Sequence, residues 1–234
     1  MPVSVGVMAS GRGTNLQAII DAIAARSLDA AIKVVISDNP GAFAIGRAEK
    51  HGIKTAVVTK DQYPLNEDFE KKLISTLNAS GVELVALAGF MRVLSPLFIR
   101  AFPMRIMNVH PSLLPAFTGL SVQKKALEYG VKFSGCTVHF VDEGVDTGPI
   151  IIQAVVKVMD DDTPETLAER ILLEEHRIYP QAIQLFSEGR LEVKGRKVFV
   201  HGVARGTVDE PLSLENPLAT IFNSSPSKKT RKTR

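Results

Sequence analysis

Short apolar, β-rich runs recur through the first half of the chain, at Val3–Val7, Ile32–Ile36, Lys54–Val58, Glu83–Ala88 and Arg105–Val109. Each has a length and composition suited to a strand. The first four are each followed by a segment in which apolar residues return every three to four positions. These predict helices over Asn15–Ala25, Ala42–His51, Glu67–Ala79 and a shorter one near Leu97–Ala101. The last begins after Ser95-Pro96, where proline suits a first helical turn. Strands alternating with helices predict an α/β fold: a Rossmann-like, doubly wound, mostly parallel sheet flanked by helices.

After Gly119 the pattern changes. A helix through Ala126–Tyr129 gives way to strands near Cys136–Val141 and Ile150–Val158, with the loop sequence DEGVDTGP between them. This predicts a hairpin-like pair added to the sheet. Apolar residues at Leu167, Ile171, Leu172, Ile178, Ile183 and Leu185 then support a long helix over Thr163–Ser187. Thr163, Pro164 and Glu165 make a good start for it, and Pro180 is expected to kink or divide it. Short strands at Leu191–Val193 and Val198–Val200 complete the predicted fold.

Charge sharpens the boundary. The chain of 234 residues carries 28 Lys and Arg against 25 Asp and Glu. Six of those cations and three of those anions fall in residues 205–234, which leaves 22 of each sign in residues 1–204. The body is formally neutral, and the excess sits in the terminal KKTRKTR after a polar NSSPS. One domain over residues 1–203 followed by a disordered basic tail over 204–234 is therefore expected. The tail's other available role is a weak electrostatic contact with RNA or another polyanion. Cys136 is the only cysteine, so neither an internal disulfide nor a cysteine-based metal site can form, and a reducing cytoplasm is expected. The start MPVSVGVMAS has no basic region before its short apolar run, and no apolar stretch approaches bilayer length, which argues against export and membrane insertion.

Two places carry candidate chemistry. MASGRGTNLQ follows the first strand and opens the first helix, so Gly11 and Gly13 can bring backbone N–H groups to an anion, with Thr14 and Asn15 adding side-chain donors. The third glycine of a dinucleotide fingerprint is replaced by Leu16, which points to a single phosphate group. The same glycines also make an ordinary tight turn with Thr14 as its cap, and position alone supports both readings. MNVHPSLLP sits at the C-terminal end of the fifth strand, where open parallel sheets place ligands. Asn108 and His110 are two apart and share a face. An amide beside an imidazole can stabilise charge on a carbonyl oxygen and move a proton near neutral pH, as acyl or formyl transfer needs. Turn roles for both residues are the alternative. Asp146, in the glycine-rich loop, can orient His110 and raise its affinity for a proton, and Asp142 competes for that role. GFMRVLSP after the fourth strand reads as a partly apolar cleft wall, or as a buried edge from which Arg92 reaches solvent.

SGRGTN, LAGFMRVLSP, MNVHPSLLP, the FxGL at Phe117–Leu120, GCTVHFVDEGVDTGPII and EEHRIYP together resemble the folate-dependent formyltransferases, in particular those acting on phosphoribosylglycinamide, from about Val3 to Leu191. The resemblance implies a catalytic trio of Asn108, His110 and Asp146. It implies ribonucleotide contacts at Gly13, Thr14, Asn15 and Glu175. It further implies folate contacts at Met91, Arg92, Val93, Leu94, Asn108, Val141 and Asp142. The co-substrate would be 10-formyltetrahydrofolate, with no metal, and the partners small molecules rather than membrane or nucleic acid, the protein being a monomer or homodimer. Asn66 stands where the family often has Arg, and Ser121 where it often has His. The related folate hydrolases carry an added N-terminal domain, and the tRNA formyltransferases a C-terminal one. A core starting at Val3 and a short polar tail argue against both. A non-catalytic nucleotide-binding module using the basic tail for RNA is the alternative from another class.

Overall fold

In a computed structural model of the chain, which describes residues 1–202, the first half alternates strand and helix as the apolar pattern requires. Strands β1 (Val3–Met8), β2 (Ala30–Ser37), β3 (Thr55–Val57), β4 (Leu84–Leu87) and β5 (Ile106–His110) are parallel. They alternate with helices α1 (Thr14–Ala24), α2 (Phe43–Lys50), α3 (Asn66–Ala79) and α4 (Pro96–Ala101). After α5 (Val122–Tyr129), strands β6 (Phe133–Phe140) and β7 (Ile150–Lys157) run antiparallel, β6 against β5 and β7 against β6. Helix α6 (Pro164–Ser187) leads to an antiparallel pair, β8 (Leu191–Lys194) and β9 (Lys197–Val200). The nine-stranded sheet has the order β3-β2-β1-β4-β5-β6-β7-β9-β8. The chain reverses its direction of travel across the sheet at β1 and β4, the kind of switch point where open sheets of this type place ligands.

Two apolar cores cover the two faces. Val5, Val7, Leu84, Ala86 and Met107 pack with α1 and α6, through Leu16, Ile19, Ile171 and Ile178. Alternate residues of the same strands, including Val34, Ile36, Val85 and Ile106, pack with α3 and α4 through Phe69, Leu73, Leu77 and Phe98. The strands are apolar on both sides because both sides are covered. Phe69, Leu73 and Leu77 are spaced by four, which puts them on one stripe of α3. Glu67 and Asp68 lie in that helix's first turn, where negative charge is favoured. Ser95 caps α4 by accepting the Leu97 N–H, with Pro96 in the first turn. Thr163 caps α6 in a reciprocal arrangement with Thr166.

Of the two outcomes expected at Pro180, division does not occur: the helix runs unbroken from Pro164 to Ser187. Its neighbours Tyr179, Ala182 and Ile183 are fully buried against the sheet. The Tyr179 hydroxyl lies 3.0 Å from the Leu87 carbonyl and 2.9 Å from that of Met107, tying the helix to β4 and β5 where proline removes a backbone donor. Among the described residues no helix is long and apolar enough to cross a membrane. Residues 1–201 form one compact unit. The expected tail over 204–234 lies outside the described residues.

Candidate active site

The centre of the site is a product of strand pairing. In the antiparallel register of β5 and β6, Asn108 stands opposite His139. Asn108 Nδ2 lies 3.2 Å from His139 Nε2, and His139 Nδ1 lies 2.8 Å from the Phe140 carbonyl. A carbonyl can only accept, so Nδ1 carries the proton and Nε2 receives the Asn108 amide. Burial lowers the proton affinity of His139, opposed by its Phe140 contact and by Asp146. A neutral His139 therefore fixes which way the Asn108 amide faces. Sequence reasoning missed His139. Its signal was the alternation along β6, where Cys136, Val138 and Phe140 enter the core while Thr137 and His139 turn to the other face.

His110 ends β5 and is buried between two acceptors. Its Nε2 lies 3.0 Å from the Phe117 carbonyl, and its Nδ1 is 3.5 Å from Asp146 Oδ2. The carbonyl can only accept, so Nε2 carries a proton, and Nδ1 faces the carboxylate. Asp146 reaches inward from a left-handed backbone position at φ 55°, a conformation that Asp tolerates better than most residues. Its Oδ2 also accepts the Gly119 N–H at 2.8 Å, and its Oδ1 is 3.9 Å from His139 Nε2. One carboxylate thus spans both histidines. Asp142 does not compete: its Oδ1 closes its own turn by accepting from Gly144 N and Thr147 Oγ1. The connection after His110 is pinned to β6 by Thr137, whose hydroxyl donates to the Ser112 carbonyl and accepts the Leu114 N–H.

The glycine turn is held from behind. The carbonyl of Ser10 accepts from Asn39 Nδ2, that of Gly11 from the Ala44 N–H, that of Arg12 from Arg47 Nε and that of Gly13 from the Gln17 N–H. Four successive acceptors are therefore occupied. Among the described residues, the N–H groups of Gly13, Thr14 and Asn15 meet no protein acceptor. Gly13 takes φ 69°, and a Cβ there would lie 2.8 Å from the Ala44 Cα, so glycine is needed both for conformation and for room. Thr14 is not the cap that the tight-turn alternative would make it. Gly13 occupies that position without a side-chain bond, and Thr14 is the first helical residue.

Glu175 approaches from α6. Its Oε2 accepts Asn15 Nδ2 at 2.7 Å, while Asn15 Oδ1 is buried without a partner. Burial pushes the Glu175 carboxyl up to about 7, with Asn15 offsetting part of that rise. A half-ionised glutamate beside a turn of free N–H groups can accept hydrogen bonds from a hydroxyl or an ammonium.

The segment after β4 divides by side chain. Met91 and Val93 are largely exposed, 68% and 72%, whereas Phe90 and Leu94 are buried. Arg92 is neither a cleft group nor simply solvated: its Nε lies 2.6 Å from Asp38 Oδ2 and its guanidinium lies over the Phe69 ring. That leaves the Met91 and Val93 side chains as its free surface. Val141 is half-buried against the α3–α4 core, its N–H donating to the Ile106 carbonyl. Asn66 begins α3, and Ser121 precedes α5 at φ 56° without a capping bond; both are exposed.

Known proteins share this arrangement of elements. The formyl transferase family pattern matches residues 3–183. Phosphoribosylglycinamide formyltransferase of Escherichia coli (strain K12) is 38% identical over 200 residues, covering 86% of this chain and 94% of that protein. The trifunctional purine biosynthetic protein adenosine-3 of Drosophila pseudoobscura pseudoobscura is 49% identical over 189 residues, 80% of this chain, and the chain spans only 14% of its length. Among solved structures, glycinamide ribonucleotide transformylase 1 from Symbiobacterium toebii superposes with a TM-score of 0.84 at 51% identity, covering 85% of this chain and 94% of that one. The chain belongs to the formyl transferase family.

Proposed function

We propose that the protein transfers a formyl group from 10-formyltetrahydrofolate to the amine of phosphoribosylglycinamide, giving the formylated ribonucleotide and tetrahydrofolate in purine biosynthesis. The observation that carries this reading is the quartet of Asn108, His110, His139 and Asp146 at the end of β5, in the same fold as a turn of free N–H groups. The folate supplies a one-carbon unit at the formate level, held as an amide on nitrogen, so its transfer to an amine is acyl transfer with no change of oxidation state. Gly13, Thr14 and Asn15 hold the phosphate of the ribonucleotide, and Glu175 accepts from its ribose or glycinamide. Met91–Leu94 and Val141–Asp146 hold the folate. The exposed Met91 and Val93 suit a flat apolar ring, and the Arg92 backbone between them, without a protein partner among the described residues, can read its polar edge.

The chemistry follows from what each group can donate. As the amine attacks the formyl carbon, charge develops on the formyl oxygen. The Asn108 amide, turned by His139, is a donor for that oxygen, and donors fixed in advance are worth the most there; His110 becomes a second when its Nε2–H turns from the Phe117 carbonyl to the developing charge. Asp146, 3.5 Å from His110 Nδ1, holds the ring in alignment. The amine's proton must leave as the bond from carbon to the folate nitrogen breaks, and that nitrogen must gain one. Asp146, at the boundary between buried and open, relays it through water. The buried thiol of Cys136, its pKa pushed up to about 12 mainly by burial, takes no part and suits a reducing cytoplasm. The partners are these two small molecules, with the protein a monomer or homodimer.

The test is steady-state release of tetrahydrofolate with the ribonucleotide present and absent. Release that requires the ribonucleotide supports the transferase. Equal release without it would make the protein a folate hydrolase, and no release in either case would sink the reading.

A further inference from the structure

The two loops that carry the proposed substrate contacts meet at one side chain. The Ser10 N–H donates to the Gly89 carbonyl at 3.0 Å, and the Met91 N–H donates back to Ser10 Oγ at 3.0 Å. Gly89 takes φ 76°, a left-handed turn that brings both of these groups to the same residue. On its other side the Ser10 carbonyl accepts Asn39 Nδ2 at 3.2 Å. The ends of β1, β2 and β4 are therefore joined through Ser10. Two residues separate Ser10 from Gly13, and the carbonyls of both, Gly11 and Arg12, are gripped by α2 through Ala44 and Arg47. That stretch has little slack, so movement of residues 89–91 is passed to the glycine turn rather than absorbed before it.

We propose that Ser10 is a positioning residue shared by both substrate sites, its hydroxyl coupling the order of the folate loop to the order of the phosphate-binding turn. This rests on the functional reading above. A ligand that orders one loop removes part of the ordering cost of the other, so each substrate raises the affinity for its partner, and linkage makes the effect equal in both directions. The other tether of the folate loop lacks this property. At its far end the Ser95 N–H and hydroxyl both donate to Glu70 of α3, which holds the loop without touching the turn.

The experiment is calorimetric titration of phosphoribosylglycinamide and of tetrahydrofolate, which has no formyl group to transfer, each alone and in the presence of the other. The parent protein is expected to bind each ligand at least about fivefold more tightly when the other is bound. In Ser10→Ala, and in the near-isosteric Ser10→Cys should the first fold poorly, that ratio is expected to fall below about twofold, the loss of one hydrogen bond's net worth. Ser95→Ala should weaken tetrahydrofolate alone and keep the ratio. A parent ratio near one, a ratio retained without the Ser10 hydroxyl, or an equal loss in Ser95→Ala would each overturn the inference while leaving the functional reading intact. Failure of the parent to bind either ligand would overturn both.

Discussion

Glu175 offers the sharpest test of how this site is built. In the folded protein its carboxyl is buried with Asn15 as its hydrogen-bond partner, which raises it from 4.5 to about 7. Ionising it there costs on the order of 3 kcal/mol more than in the unfolded chain. The sign follows from which state holds the proton more tightly. Below pH 4.5 both states are protonated and the stabilisation is fully present. Between pH 4.5 and about 7 the unfolded chain sheds its proton first, and stability falls by about 1.4 kcal/mol per pH unit. Above pH 7 the loss is complete. Glu175→Gln removes this slope, and its amide can also donate to Asn15 Oδ1, which is buried and unpartnered. The variant should therefore be more stable than the parent at pH 8, by on the order of 3 kcal/mol relative to their difference at pH 4.5. Urea denaturation at four or five pH values between 4.5 and 8 measures this. The same variant should raise KM for the ribonucleotide, a trade of stability for function. Parallel pH profiles for parent and variant would refute the buried-carboxylate reasoning, whatever happened to KM.

Four other substitutions probe three separate parts of the structure. His110→Ala or Asp146→Asn should lower kcat by about two to four orders of magnitude, with circular dichroism unchanged, and near-normal turnover in either would remove the proposed donors. Gly13→Ala should cost about 2–4 kcal/mol, because the side chain is strained at φ 69° and would press on the α2 backbone; an unfolding midpoint equal to the parent's would show that the turn relaxes freely. Tyr179→Phe leaves the Leu87 and Met107 carbonyls without their shared donor and should cost about 1–3 kcal/mol in urea denaturation, with a loss under a few tenths counting against the tie between α6 and the sheet.

The parallel half of the fold was legible because its signals are local. Buried β-branched runs such as Val34–Ile36 and the four-residue spacing of Phe69, Leu73 and Leu77 hold without knowledge of distant residues. The readings that failed were those in which distant residues decide. A proline rule written for an isolated helix does not foresee Tyr179 bonding to two strands. The open choice at the glycine turn, with Thr14 as its cap in one reading, depended on Gly13 taking a left-handed conformation under α2. The surroundings of the Arg92 side chain are equally distant in sequence: it is claimed by Asp38, 54 positions away. His139 escaped notice because its relation to Asn108 is a register, and strand register between β5 and β6 is not written in either strand alone.

That register has an evolutionary consequence. Asn108 and His139 are brought together by a hydrogen-bond ladder, whereas the segment between their strands, residues 111–132, carries α5 and its turns. Length changes in the solvent-facing part of that segment leave the rungs where they are, while a single residue inserted within β6 would turn His139 to the opposite face and bring a core residue to Asn108. Length can therefore change in the exposed part of the connection, outside Ser112, Leu114, Phe117 and Gly119 that touch the site, but not in the strand, and the fold separates the part that may vary from the part that keeps time.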